Sequence, residues 1–269
     1  MFRKATKKDI KLRIALSGIS GSGKTWTSLL IASYLGKKIG LIDTENASSE
    51  RYADQFSFDI SDLKNHKPDS YAREIKAAQD CYDVLIIDSL SHAWLAELDY
   101  VRSQKNSYTA WSSVRPKERE LLSAIVECKC HLIATMREKT DYTLEKNEKG
   151  KQVPRRIGTS PIQASGIEYE FDLWGKLDLQ NNLKIEKSRY SKISGQTFPK
   201  PGAEFCNLLL GWIYPWTLWR NDQDAINWAA NILPDMEINE IKKEYINLQA
   251  EKGEKFPTWV NYVHNLDKF

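Results

Sequence analysis

Residues 18–25 read GISGSGKT, with three glycines, a lysine and a threonine in eight positions. The stretch before it, Leu12–Ser17 (LRIALS), is apolar and short, which predicts a buried strand. The stretch after it carries Leu29, Leu30, Ile31 and Leu35 at helical spacing, which predicts a helix over Thr25–Leu35 stopped by Gly36. Between strand and helix, GISGSGKT matches G-x-x-x-x-G-K-[ST] in full, in the setting that motif requires. The glycines let successive backbone N–H groups turn inward onto a phosphate, and the helix N-terminus adds partial positive charge. Gly18, Ser20, Gly21, Ser22, Gly23, Lys24, Thr25 and Trp26 form the expected nucleotide-binding set, for ATP. Lys24 reaches the terminal phosphates and the Thr25 hydroxyl ligates Mg²⁺.

A phosphate site of this kind needs acids on other strands of the same sheet. Asp83–Asp88 (DVLIID) is apolar on consecutive positions, as in a buried parallel strand, and ends on a carboxylate. Asp88 is therefore the expected second metal-holding residue, directly or through water. Lys38–Asp43 (KIGLID) predicts another strand, followed by Thr44-Glu45-Asn46. Glu45 is the candidate for positioning the attacking water, with Asp43 in support.

Further strands and helices alternate along the chain. Tyr71–Cys81 and Pro116–Lys129 read as helices, and His131–Met136 (HLIATM) as a strand. This alternation predicts an α/β fold, a parallel sheet with helices on both faces. Residues 137–165 are polar. Ile167–Asp178 and Leu183–Arg189 read as two strands of a hairpin turning at Gln180-Asn181-Asn182. From about Pro201 the pattern changes, and Asp222–Leu233, Ile238–Leu248 and Pro257–Leu266 predict three short helices. The expected division is an ATPase core over 1–200 and a small helical C-terminal domain over 201–269.

Composition narrows the partners. Of 269 residues, 28% are charged but the net charge is only +3, so any nucleic-acid contact must use a local patch. No apolar run is long enough to span a bilayer. The basic N-terminus, MFRKATKKDIK, lacks the features of a signal peptide, so a cytoplasmic protein is expected. The four cysteines, Cys81, Cys128, Cys130 and Cys206, complete no zinc pattern and read as reduced, mostly buried thiols.

The order GISGSGKT, LIDTEN, VLIIDSL, LIATMR resembles that of the RecA-like P-loop ATPases. That resemblance assigns catalysis to Lys24, Glu45 and Asp88, and places Met136-Arg137 on the strand beside the γ-phosphate. TAWSSVRPKERELL (109–122), HLIATMREKTDYTLE (131–145), KGKQVPRRIG (149–158) and SGIEYEFDLWGKLD (165–178) narrow it to phage and prophage ATPases that include the Sak-type single-strand-annealing group. RecA-like assemblies often supply a K-x-R pair to the neighbouring subunit's γ-phosphate. Lys187 and Arg189 have that spacing, which implies a homo-oligomer, ring or filament.

The resemblance also implies a DNA-contacting loop after the sensor strand. Residues 137–156 hold seven basic and four acidic residues. Lys139, Lys151, Arg155 and Arg156 are the candidates for single-stranded DNA, with Tyr142 to stack on a base. The same segment reads equally as a solvated β-hairpin. Four of the nine tryptophans fall within 212–228, where they fill a small helical core or dock a partner such as a single-strand-binding protein. Three functions follow: an ATPase acting on single-stranded DNA, a nucleotide switch binding a protein through its C-terminal helices, or a small-molecule kinase. No basic lid-like segment stands out for the kinase.

Overall fold

The computed structural model describes residues 10–146, 152–214, 219, 221–233, 235–252 and 256–266. Nine strands of these residues form one sheet in the order β3-β2-β4-β5-β1-β7-β8-β9, with β6 paired to β5 alone. Its centre is β1 (Arg13–Gly18), β2 (Ile39–Asp43), β4 (Val84–Asp88) and the first part of β5 (His131–Lys146). β1, β2 and β4 are buried along their whole length. The edge strand β3 (Asp59–Asp62) pairs parallel with β2. Its sequence, DISD, has too little apolar character to read as a strand. Parallel pairing joins β2 to β4, β4 to β5 and β5 to β1, so their carboxyl ends share one edge.

Alternation along these strands supplies two apolar faces. Ala15, Ile42, Leu85, Ile87, Leu132 and Ala134 pack with residues of α2 (Pro68–Ala78) and α4 (Ser107–Val126). Helix α1 (Lys24–Leu35) packs on β1, β4 and β5 and takes no part in that cluster, which assigns it to the opposite face. Helix α3 (Ser91–Ser103) packs against α2 and α4.

Several expected bounds move. Helix α2 begins at Pro68, where proline's missing N–H costs nothing, and ends at Ala78. Helix α4 begins nine residues before Pro116, at Ser107. Its N-cap is Asn106, whose side chain accepts from Tyr108 N and Thr109 N. Pro116 lies inside the helix, where it leaves one turn without its hydrogen bond. The strand expected over Ile167–Asp178 is shorter: Ile167–Glu170 is a 3₁₀ turn, and β7 runs Leu173–Leu177. The turn buries Ile167, and Phe171 after it, with α4 residues Leu121, Ala124 and Ile125. Strands β7 and β8 (Asn182–Ser188) form the expected hairpin, and β9 (Thr197–Pro199) adds to it. Strand β5 continues past the sheet and pairs antiparallel with β6 (Gln152–Pro161), from Glu138↔Pro161 to Lys146↔Gln152. The polar segment after His131–Met136 thus forms a strand pair whose first strand belongs to the central sheet.

Residues 11–206 form one compact unit and the residues from Asn207 onward belong to a second. In the second unit α6 (Asp222–Ile232), α7 (Ile238–Lys252) and α8 (Phe256–Leu266) enclose Ala225, Ile226, Ile241, Tyr245, Trp259 and Val263. Trp219 and Trp228 pack against this cluster, and Trp216 lies outside the described residues. Helix α5 (Ala203–Ile213), not expected from the sequence, runs across the boundary between the units. Cys128, Cys130 and Cys206 are buried free thiols, and Cys81 is exposed. No described helix is long and apolar enough to cross a membrane.

The lower end of β1 is tied by Arg13, whose buried guanidinium donates to the carbonyls of Val126 (3.1 Å), Cys130 (2.9 Å) and Cys128. These acceptors close the turn from α4 to β5, where a cation also offsets the helix's negative end. Replacing Arg13 by Met leaves those carbonyls unpaired, and should cost about 2–4 kcal/mol in urea unfolding. A loss below about 0.5 kcal/mol would mean that water takes over the carbonyls.

Candidate functional site

The loop after β1 keeps its shape through two glycines in left-handed backbone, Gly21 (φ 81°) and Gly23 (φ 82°). A side chain on Gly23 would also meet Asn181 Nδ2 at 2.9 Å. Helix α1 starts at Lys24, so its free N–H groups face the loop. Lys24 Nζ folds back to donate to the Ile19 carbonyl at 3.0 Å. Burial lowers the Lys24 pKa, against the pull of Asp88 and Glu45. Ser22 Oγ is buried with no hydrogen-bond partner among the described residues.

Asp88, 1% exposed at the end of β4, meets the loop directly, accepting from Thr25 Oγ1 at 2.6 Å on Oδ2. Its Oδ1 accepts from Thr135, on the strand between β4 and β1. Burial raises the Asp88 pKa, and the Thr135 and Thr25 hydrogen bonds oppose the rise. A hydroxyl and a carboxylate at this distance are hard oxygen donors of the kind Mg²⁺ takes alongside phosphate oxygens. Thr135 is absent from the residues selected on sequence. The sign it left was a lone polar residue in the apolar run HLIATM.

The loop after β2 is shaped by Asp43. Its Oδ1 accepts from Glu45 N (2.6 Å) and Ala47 N (3.3 Å), and its Oδ2 from Ser49 Oγ (2.6 Å). The Asp43 carboxylate is thus spent on its own loop, and Glu45 is the acid presented beyond it. Glu45 Oε1 pairs with Arg137 Nε at 2.8 Å. Next to Arg137, Glu138 accepts from Ser17 Oγ (2.9 Å), from Thr159 of β6, and pairs with Lys176 (3.2 Å).

These groups surround one cavity of about 460 Å³, lined by Ser20, Gly21, Gly23, Lys24, Thr25, Glu45, Tyr52, Asp88, Arg137, Glu138 and Ile162. A second, of about 330 Å³, adjoins it at Gly23 and is lined by Trp26, Thr27, Asn181, Lys200 and Pro201. Trp26 is 39% exposed and packs edge-on against Tyr52 and Phe56.

Other selected residues lie elsewhere. Lys187 Nζ donates to the carbonyls of Glu168 and Phe171, both at 2.6 Å, and Arg189 Nε pairs with Asp172 at 3.3 Å. Neither lines the cavity around Lys24. Lys139 is exposed on β5, and Arg155 on β6 pairs with Glu145 at 3.0 Å across the hairpin. Lys151 is outside the described residues. Arg156 is described by its backbone alone, paired with Tyr142.

A glycine-rich loop between β1 and α1, an aspartate at the end of β4, and a strand inserted between β1 and β4 define a RecA-like P-loop core. The chain belongs to the AAA_24 family, described as an AAA domain, whose model matches residues 10–198. Among solved structures it is similar to a crystal structure of the RadB recombinase. Identity is 18% over 69% of this chain and 84% of that chain, with a TM-score of 0.43. No curated protein matches the chain in sequence.

Because two hydroxyls oppose the rise that burial imposes on the Asp88 pKa, removing one should let it climb further. The Thr135→Val protein should show the Asp88 carboxyl titrating at higher pH than in the native chain, read by carbon-13 NMR of labelled aspartate. An unchanged titration would mean that the Thr135 contact does not stabilise the charge.

Proposed function

We propose that the chain is a Mg²⁺-dependent ATPase of phage type that acts on single-stranded DNA in recombination, annealing or repair. The observation that carries the nucleotide reading is the Thr25–Asp88 contact, with Lys24, Glu45 and Arg137 around the same cavity. Thr25 and Asp88 would hold Mg²⁺, which neutralises charge on the phosphate oxygens. The backbone N–H groups of residues 20–25 take the β-phosphate, and the base enters the adjoining cleft against Trp26 and Asn181.

Lys24 and Arg137 rest on protein acceptors, a carbonyl and the Glu45 carboxylate. A γ-phosphate is the stronger acceptor for both cations. With Arg137 drawn to it, Glu45 is released to orient a water and receive its proton. The water oxygen bonds to the γ-phosphorus, the bond to the β–γ bridging oxygen breaks, and ADP and phosphate leave. Lys24 and Arg137 stabilise the charge that spreads over the transferred group.

Lys187 and Arg189 are assigned to the γ-phosphate of a neighbouring subunit in a ring or filament. That reading rests on their K-x-R spacing and on neither residue lining the cavity around Lys24. Lys139, Arg155 and Arg156, on a hairpin rooted at Arg137 and Glu138, are assigned to the DNA backbone together with Lys151. A single-strand-binding protein is the proposed partner of the C-terminal helices, and the free thiols suit a reducing cytoplasm.

Glu45→Gln should retain ATP binding and lower turnover about 10²–10⁴-fold, the range for a positioned base. Loss of binding would assign Glu45 to structure. Single-stranded DNA should stimulate turnover in native protein, less as salt rises, and Arg155→Ala/Arg156→Ala should lose the stimulation while keeping basal turnover. Turnover indifferent to DNA would leave the ATPase and remove the DNA role.

A further inference from the structure

A second cavity of about 460 Å³ lies away from the P-loop, between the loop before α2 and helices α3 and α4. Its walls include His66, Lys67, Pro68, Tyr100, Val114 and Lys117, and two carboxyls, Asp99 and Glu97. Glu97 is 4% exposed, and neither of its oxygens has a hydrogen-bond or ion-pair partner among the described residues. A buried carboxyl without partners destabilises a fold, and one that lines a cavity of ligand size marks a binding site.

Most of the charges around Glu97 have partners of their own. Lys117 faces Asp69 at 3.9 Å, Arg115 pairs with Glu118 at 2.6 Å, and Asp99 with Arg102 at 3.6 Å. His66 stacks on His92, with ring centroids 4.9 Å apart, and Lys67 is exposed. The feature left without a partner is therefore the Glu97 carboxyl, beside the apolar surface of Pro68, Tyr100 and Val114. Once ionised, this carboxyl repels an anion, and one carboxylate is too few donors for a metal ion. A cation on a short hydrocarbon chain satisfies both surfaces.

We propose that this cavity binds a primary alkylammonium group, its nitrogen on the Glu97 carboxylate and its chain against Pro68, Tyr100 and Val114. The carboxyl must be ionised to receive it. Burial, and the Glu118 charge after it, push the Glu97 pKa up to about 8, with Arg115 opposing. At pH 7 the group is therefore mostly protonated, and binding transfers its proton to the buffer. The two sources of such a group are a free amine and a lysine side chain of another protein.

The test titrates full-length protein, without nucleotide, with n-butylamine, with N-acetyl-lysine methylamide, and with 1-butanol as the uncharged match. The expected result is saturable butylamine binding whose heat changes between buffers of different ionisation enthalpy. Glu97→Gln should weaken it tenfold or more and abolish the buffer dependence. Val114→Trp, which fills the cavity and keeps the acid, should block it. Binding of the lysine derivative as well assigns the site to a side chain, and its exclusion assigns a free amine. No butylamine binding to native protein overturns the proposal, as does equal binding of butanol or of butylamine to Glu97→Gln. Because no nucleotide is present, these outcomes are independent of the ATPase reading.

Discussion

Parallel pairing of β2, β4, β5 and β1 puts four strand ends on one edge of the sheet, and everything at the site depends on that edge. Each of these strands brings a residue to that edge: the glycine loop follows Gly18 of β1, Asp43 ends β2, Asp88 ends β4, and Thr135 and Arg137 lie on β5. Residues far apart in sequence, such as Thr25 at the start of α1 and Asp88 at the end of β4, come within 2.6 Å at this edge. An antiparallel partner for β4 would carry Asp88 to the opposite rim. The buried strands hold that register through continuous Ile, Leu, Val and Ala, with no polar face on which to slip.

Burial sets the electrostatics of the edge. Asp88 has almost no contact with water, and the hydroxyls of Thr25 and Thr135 oppose the rise in pKa that this burial brings. Lys24, also shielded from water, is held by a carbonyl. Asp43 shows the opposite use of an acid: it takes three loop N–H groups and a hydroxyl, which fixes where Glu45 stands. Two aspartates at equivalent strand ends, Asp43 and Asp88, face each other's positions in the ladder yet do different work.

The glycine loop and the strands beside it were legible because their patterns are local: a fixed spacing, a continuous apolar run, an acid at its end. What escaped was decided by tertiary contact. Helix α3 buries Ala93, Glu97 and Val101 on one stripe, and the glutamate in that stripe erased the apolar periodicity. Pro116 reads as a helix start, but packing of Ala110 and Val114 with Val101 holds the helix through it. The strand expected over Ile167–Glu170 has fitting residue types, and Gly166 (φ 93°) turns the chain into α4's apolar face instead. Within the site, Thr135 was invisible because one hydroxyl in an apolar strand carries no motif. Asn181 was read as a turn residue, and the structure sets it over Gly23.

Strand β5 has a mechanical side. It is one continuous 16-residue strand, clamped in the sheet to Arg137 and free of it from Glu138 onward. The pivot is small: Arg137 held by Glu45, and Glu138 held by Ser17, Thr159 and Lys176. The eight residues beyond the pivot extend about 26 Å at the rise of an extended strand, so a tilt of about 10° there displaces the far end by about 4–5 Å. The hairpin is rooted beside the cavity around Lys24, and any tilt at that root grows along it in proportion to its length.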